Sequence, residues 1–399
     1  MNIPTNSKDE SGGRIALFNL GFRIFFLSAA LFSILSICLW AAVYLFQVSL
    51  PLESISPTQW HAHEMIYGYA MAAIAGFLLT AVKNWTGVQT LHGWPLALLF
   101  LLWAVARLLF TAGDSLMGIA AVCDMLFGLG FLAAVSYPII KVRQWKQMAI
   151  LSKILILCLF NLLFYLGAAD ILSNGVYWGM YGGLYLVISL IMTLGRRVVP
   201  FFIERGVDQP LQLYKANFID LSSLLLFLVF TVVEVFFYQP ALSAWLALAL
   251  FLVNARRLVG WHTPGIWNKS LLWSLYLGFW MICIGFLLIS LSHFAGVNKF
   301  LAIHAFAFGG IGMMTLGMMS RVSLGHSGRS IRDPSNLIAW AFGLLLVGAI
   351  IRIFFPMFAA SQYLLWVGLS QLAWIAAFLI FSVLYLPVLS RPRIDGRPG

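Results

Sequence analysis

The sequence predicts an all-α fold: a polytopic membrane protein, built as a helical bundle of about twelve transmembrane helices with both termini cytoplasmic. Three observations predict it. The 399 residues are 62% hydrophobic and only 9% charged, with a mean hydropathy of +0.95, a composition foreign to soluble domains. Apolar runs long enough to cross roughly 30 Å of hydrocarbon recur along the chain. Basic residues gather in every second connection, as the positive-inside rule requires.

In order, the runs cover 21 to 46, 57 to 82, 95 to 112, 117 to 140, 152 to 170, 175 to 194, 218 to 238, 241 to 255, 270 to 291, 299 to 319, 336 to 355 and 362 to 387. The eighth is short, and the turn before it rests on Gln239 and Pro240. With the N-terminus in the cytoplasm, the inner side collects Lys8, Arg14, Arg23, Lys83, Lys141, Arg143, Lys146, Lys153, Arg196, Arg197, Arg205, Lys215, Arg256, Arg257, Lys269, Arg321, Arg329, Arg332, Arg391, Arg393 and Arg397. The outer side holds Lys299 and Arg352. The net charge of +11 is therefore a topology signal and gives no reason to expect nucleic-acid binding.

The polar first twenty residues lack the pattern of a cleaved signal peptide, so the first span is expected to remain. Cys38, Cys123, Cys158 and Cys283 lie far apart in apolar runs without CxxC or CxxCH, which excludes a zinc ribbon and a covalently attached c-type haem. No GxxxxGK[ST] loop suggests a nucleotide-driven pump. The chain reads as a single transmembrane domain, 1–399, whose longest inner loops are 195 to 217, 256 to 269 and 320 to 335.

Ionisable residues at membrane depth are costly and usually face a cavity, a metal or a partner. Ser56, Pro57 and Gln59 have the spacing of a capped helix start, which puts His61, His63 and Glu64 roughly 7 to 12 Å along span 2. Asn298 caps span 10 in the same way, so His304 lies about 9 Å along it, at matching depth. At 100° per residue His61 and His63 diverge by about 200°, whereas His61 and Glu64 share a face. Two sites, or one site and an orienting role, are implied. Neutral imidazole suits haem iron and copper, and Glu64 is placed to orient a ligand, bind a second metal or relay protons. The small residues Gly68, Ala72, Ala75, Gly76, Gly309, Gly310, Gly312 and Gly317 admit either a flat group or a closely packed helix. On the inner side, Arg196, Arg197, Arg321 and Arg329 are positive-inside residues or a clamp for an anion such as haem propionate. His326, between Gly325 and Gly328, is the inner histidine that stands out.

The segments "WHAHEMIYGYAMAAIAGFLLTAVKNWTG", "GRRVVPFF" and "HAFAFGGIGMMTLGMMSRVSLGHSGR" together resemble the NnrS family of bacterial membrane proteins linked to nitric oxide metabolism. The likeness extends from "FNLGFRIFFL" to span 12. It implies a multi-pass protein of the bacterial inner membrane that contains haem b and copper and relieves nitrosative stress. The matching positions are His61, His63, Glu64, Arg196, Arg197, His304, Arg321, His326 and Arg329. Of these, His61, His63 and His304 are the expected metal ligands, His326 and the arginines further cofactor contacts, and Glu64 the catalytic proton donor. Two departures stand out: Tyr276 of "LYLGF" replaces a histidine common in the family, and Lys83 replaces a proline.

The expected activity is binding of nitric oxide and its reduction to nitrous oxide at a buried outer metal, with electrons from a quinol or a soluble redox protein. The alternative is a non-catalytic haem or copper binder, or a transporter, protecting against nitrosative stress. Scattered ionisable residues at mid-membrane would favour transport, and Asp124, Asp170, Asp220 and Glu234 are the few candidates.

Overall fold

The computed structural model describes residues 16–213 and 217–396; Lys8, Arg14, Lys215 and Arg397 lie outside them. Twelve helices are long and apolar enough to cross a membrane: α1 (Gly21–Phe46), α2 (Pro57–Thr86), α3 (Trp94–Ala112), α4 (Asp114–Lys141), α5 (Trp145–Ala168), α6 (Gly175–Gly206), α7 (Asn217–Phe237), α8 (Pro240–Trp261), α9 (Ser270–Phe294), α10 (Lys299–His326), α11 (Asn336–Phe358) and α12 (Ala360–Ser390). The short eighth run is thus a helix of 22 residues. Spans 6 and 10 reach further than the apolar runs suggest, to Gly206 and His326, so Arg196, Arg197 and Arg321 are helical rather than in loops. Arginine interrupts an apolar run but forms helix nearly as readily as leucine.

The bundle is ordered by burial. In α2, α9 and α10, 83%, 72% and 67% of the apolar window is buried, against 33% in α3 and α4. The first three are therefore central and the latter two face lipid. Neighbours in sequence pack as hairpins, α3 on α4, α5 on α6, α8 on α9 and α11 on α12, while α1 closes the bundle against α2 and α12. Arg23 fastens that closure: its Nη1 donates to the carbonyls of Val388 (3.2 Å), Leu389 (3.0 Å) and Arg391 (2.6 Å) at the end of α12, where the helix dipole favours a cation. The α5–α6 turn depends on glycine, since a Cβ on Gly175 would stand 2.7 Å from Gly167 Cα.

Among the described residues three helices contain π-helical segments: Glu64–Ala70 in α2, Val233–Phe237 in α7 and Ala305–Gly312 in α10. Such widened turns are rare and concentrate at functional sites. Those in α2 and α10 begin immediately after His63 and His304.

Labelling of single cysteines in intact cells should place residues 141–153 and 195–217 in the cytoplasm and 47–56 outside. Termini on opposite sides of the membrane would overturn a twelve-span arrangement.

Candidate functional site

The starts of α2 and α10 are fixed locally. Ser56 Oγ accepts from Gln59 N–H (3.3 Å) and Gln59 Oε1 from Ser56 N–H (2.7 Å), a complete capping box. Asn298 Oδ1 caps α10 by accepting from Phe300 N–H (2.9 Å). These caps set His61 and His304 on the wall of one cavity of about 180 Å³. Tyr69, Tyr181, Phe308 and Trp374 are among its other walls, and among the described residues no acid lines it. The His61 ring stacks on Trp40 at 4.6 Å and 5°, and its Nδ1 is buried without a hydrogen-bond partner. His304 is differently held. Its Nδ1 donates to the Phe300 carbonyl (2.7 Å) and its Nε2 accepts from Arg352 Nη2 (3.1 Å); a carbonyl only accepts and a guanidinium only donates, so the ring is neutral. Arg352 also donates to Tyr363 Oη (2.9 Å), and among the described residues no carboxylate pairs with it.

His63 faces away, as the 200° divergence predicts. It is fully buried and enclosed by the rings of Tyr67, Phe110, Phe164 and Tyr165, with centroids 4.4 to 5.2 Å away. Its Nε2 lies 2.9 Å from Asn161 Oδ1 and its Nδ1 3.1 Å from Glu64 Oε1. Asn161 Nδ2 donates to Asp124 (2.9 Å), as does Tyr165 Oη (3.1 Å), which turns the Asn161 oxygen toward His63 and makes Nε2 a donor. Arg107 pairs with both Glu64 and Asp124. One proton therefore lies between His63 and Glu64, on the imidazolium or on the carboxyl, and with Arg107 it neutralises two buried acids. Charges at this depth persist only when so compensated.

The expectation that Glu64 shares a face with His61 is corrected: its carboxylate belongs to the His63 cluster. Glu64 opens the π-segment of α2, where 100° spacing no longer applies, and a buried acid turns to the nearest cation. The small residues are filled by neighbours. A Cβ on Gly68 would strike Phe32, on Gly76 Phe26, on Gly309 Met281, on Gly312 Trp374. They serve close helix packing.

The inner residues fall into separate environments. Arg196 shares Asp220 with Arg257, at 3.2 and 3.0 Å, and Arg197 is exposed. Arg321 lies over the Phe202 ring at 3.9 Å. His326 Nε2 faces Asn84 Nδ2 at 3.2 Å, and its carbonyl accepts from Arg393 (3.0 Å). Arg329 keeps a buried nitrogen without a partner. Tyr276, where the family often has histidine, donates to the Leu258 carbonyl (3.1 Å) and so ties α9 to α8.

The family model described as NnrS protein matches residues 16–393. The chain belongs to the NnrS family. Comparison with the curated proteins returned no match. The residues of this NnrS chain that sequence reasoning passed over are Arg107, Asn161, Tyr165 and, as a site residue, Arg352. Arg107 interrupts the third apolar run, a signal at membrane depth, and Arg352 is one of two basic residues on the side that otherwise lacks them. Asn161 and Tyr165 carry no such mark. The donor set around this NnrS cavity is sparse. Among the described residues no group of three or more His, Cys, Asp or Glu is placed to hold a metal, and a bare ion such as copper takes several protein ligands. Haem iron would need only an axial imidazole, and His61 is the imidazole of this wall not held by a hydrogen bond at its Nδ1.

Proposed function

We propose that the cavity between α2, α6 and α10 holds haem b through His61 and is where this protein, in the bacterial inner membrane, binds nitric oxide and reduces it to nitrous oxide. The observation that carries this is the pairing of His61 and His304 across one apolar cavity at the π-widened starts of the two helices. Bound haem iron would supply one-electron chemistry and a coordination position for a small gas. The chain's own groups do the rest. Trp40 holds the His61 ring in place. The apolar walls exclude water and admit an apolar gas from the bilayer, aided by a second cavity of about 80 Å³ along the same three helices. Arg352, which bonds His304 and has no carboxylate partner among the described residues, favours negative charge beside that wall.

Two nitric oxide molecules, two electrons and two protons give nitrous oxide and water, with a quinol or soluble redox protein as donor. The proton shared by His63 and Glu64 is a buried store on the opposite face of α2. A second reading, binding without turnover, is favoured by the lack of an acid in the cavity wall.

The purified protein should show a haem b spectrum and consume nitric oxide at an electrode with an artificial reductant. Haem without consumption above a haem-free control would favour the second reading. Protein that carries no haem when supplied with it would overturn both.

A further inference from the structure

Five arginines among the described residues are buried: Arg23, Arg107, Arg257, Arg321 and Arg352. Arg23 binds carbonyls, Arg107 and Arg257 pair with acids, and Arg352 bonds His304 and Tyr363. Arg321, only 7% exposed, stands apart: its contact is the Phe202 ring, and no hydrogen-bond acceptor or carboxylate among the described residues meets its guanidinium. It lines a cavity of about 400 Å³ at the end of the bundle opposite His61. Arg205, Lys269 and Arg332 line the same cavity, against a single acid among the described residues, Asp333. Lys269 is shared with Asp208 outside it, at 3.3 Å. A buried cation without a partner is costly, and four cations around one polar cavity attract an anion.

The position narrows which anion. Arg321 is 22 residues beyond the start of α10 at Lys299, or about 33 Å at 1.5 Å per residue, which is where roughly 30 Å of hydrocarbon gives way to headgroups. Trp267 and Trp273, also in the lining, are the residue type that marks this boundary. Among the described residues no histidine, methionine or cysteine lines the cavity, so they offer haem iron none of these ligands. The guanidinium fork matches phosphate oxygens, and basic pockets between helix ends take anionic headgroups.

We propose that this cavity binds the phosphate of an anionic phospholipid, with Arg321 as its buried anchor and Arg205, Lys269 and Arg332 as its rim. Occupancy would join the ends of α6, α9, α10 and α11 through one headgroup.

The test is native mass spectrometry and thermal unfolding of the full chain in detergent, titrated with phosphatidylglycerol, with phosphatidylcholine, and with inorganic phosphate or pyrophosphate. Phosphatidylglycerol should bind saturably and raise the unfolding midpoint, and phosphatidylcholine should do neither. Arg321→Gln should weaken that binding at least tenfold, and Arg321→Lys should restore only part of it. The exposed Arg332→Gln should weaken it about fivefold, the scale of one interfacial cation, and keeps the test decisive where Arg321→Gln does not fold. Equal effects of the two lipids, or unchanged phosphatidylglycerol binding in both glutamine variants, would overturn the proposal. Saturation by free phosphate with no lipid effect would reassign the cavity to a soluble anion and overturn the lipid.

Discussion

Replacing Arg107 by methionine should destabilise the protein by roughly 3–5 kcal/mol, the cost of stripping a buried ion pair of one partner. Methionine roughly conserves the volume beside Gly68 and Trp103, so lost packing is a small part of the effect. What remains is two acids, Glu64 and Asp124, at 0% and 1% side-chain exposure, with only the proton shared by His63 and Glu64 to offset them. Thermal unfolding in detergent should show the drop. Adding Glu64→Gln and Asp124→Asn to Arg107→Met should recover most of it, because a neutral cluster no longer needs the cation. An unchanged midpoint in the single variant, or no recovery in the triple, would refute this account of the cluster.

Replacing His61 by alanine should abolish haem binding while leaving a folded protein. The loss should exceed the roughly 10- to 100-fold that follows removal of a mere supporting residue of a metal ligand. His63→Ala should do the reverse, lowering the unfolding midpoint while the protein that folds keeps its haem. The two histidines are two residues apart yet belong to different environments, one a cavity and the other an ionic cluster. Haem-to-protein ratio and unfolding midpoint, measured on both variants, separate the roles, and the assignment fails if His61→Ala retains wild-type haem. Glu64→Gln tests the proton store. It keeps shape and haem, and if the His63–Glu64 proton feeds reduction, turnover falls by roughly 10²-fold, the scale of a lost general acid.

Much of the fold follows from residue type alone. Apolar runs and their basic flanks marked all twelve helices, and Ser56–Gln59 and Asn298 marked the two helix starts that bring His61 and His304 level. Helix ends were less legible where arginine follows an apolar run, as at Arg196 and Arg321, because hydropathy reports the hydrocarbon boundary and not where the helix stops.

The sequence by itself determined that two histidines on different helices reach one depth and that His61 and His63 point apart, since both follow from rise and rotation per residue. Only the tertiary structure decided what each one meets. Glu64 joined His63 because α3 and α4 bring Arg107 and Asp124 against that face of α2. His304 was claimed by Arg352 from α11, and among the described residues Arg321 was left without an acceptor or a carboxylate. Contacts between helices far apart in sequence set these pairings, and a buried charge takes whichever counter-charge or acceptor the packing places within reach, a choice that no local spacing encodes.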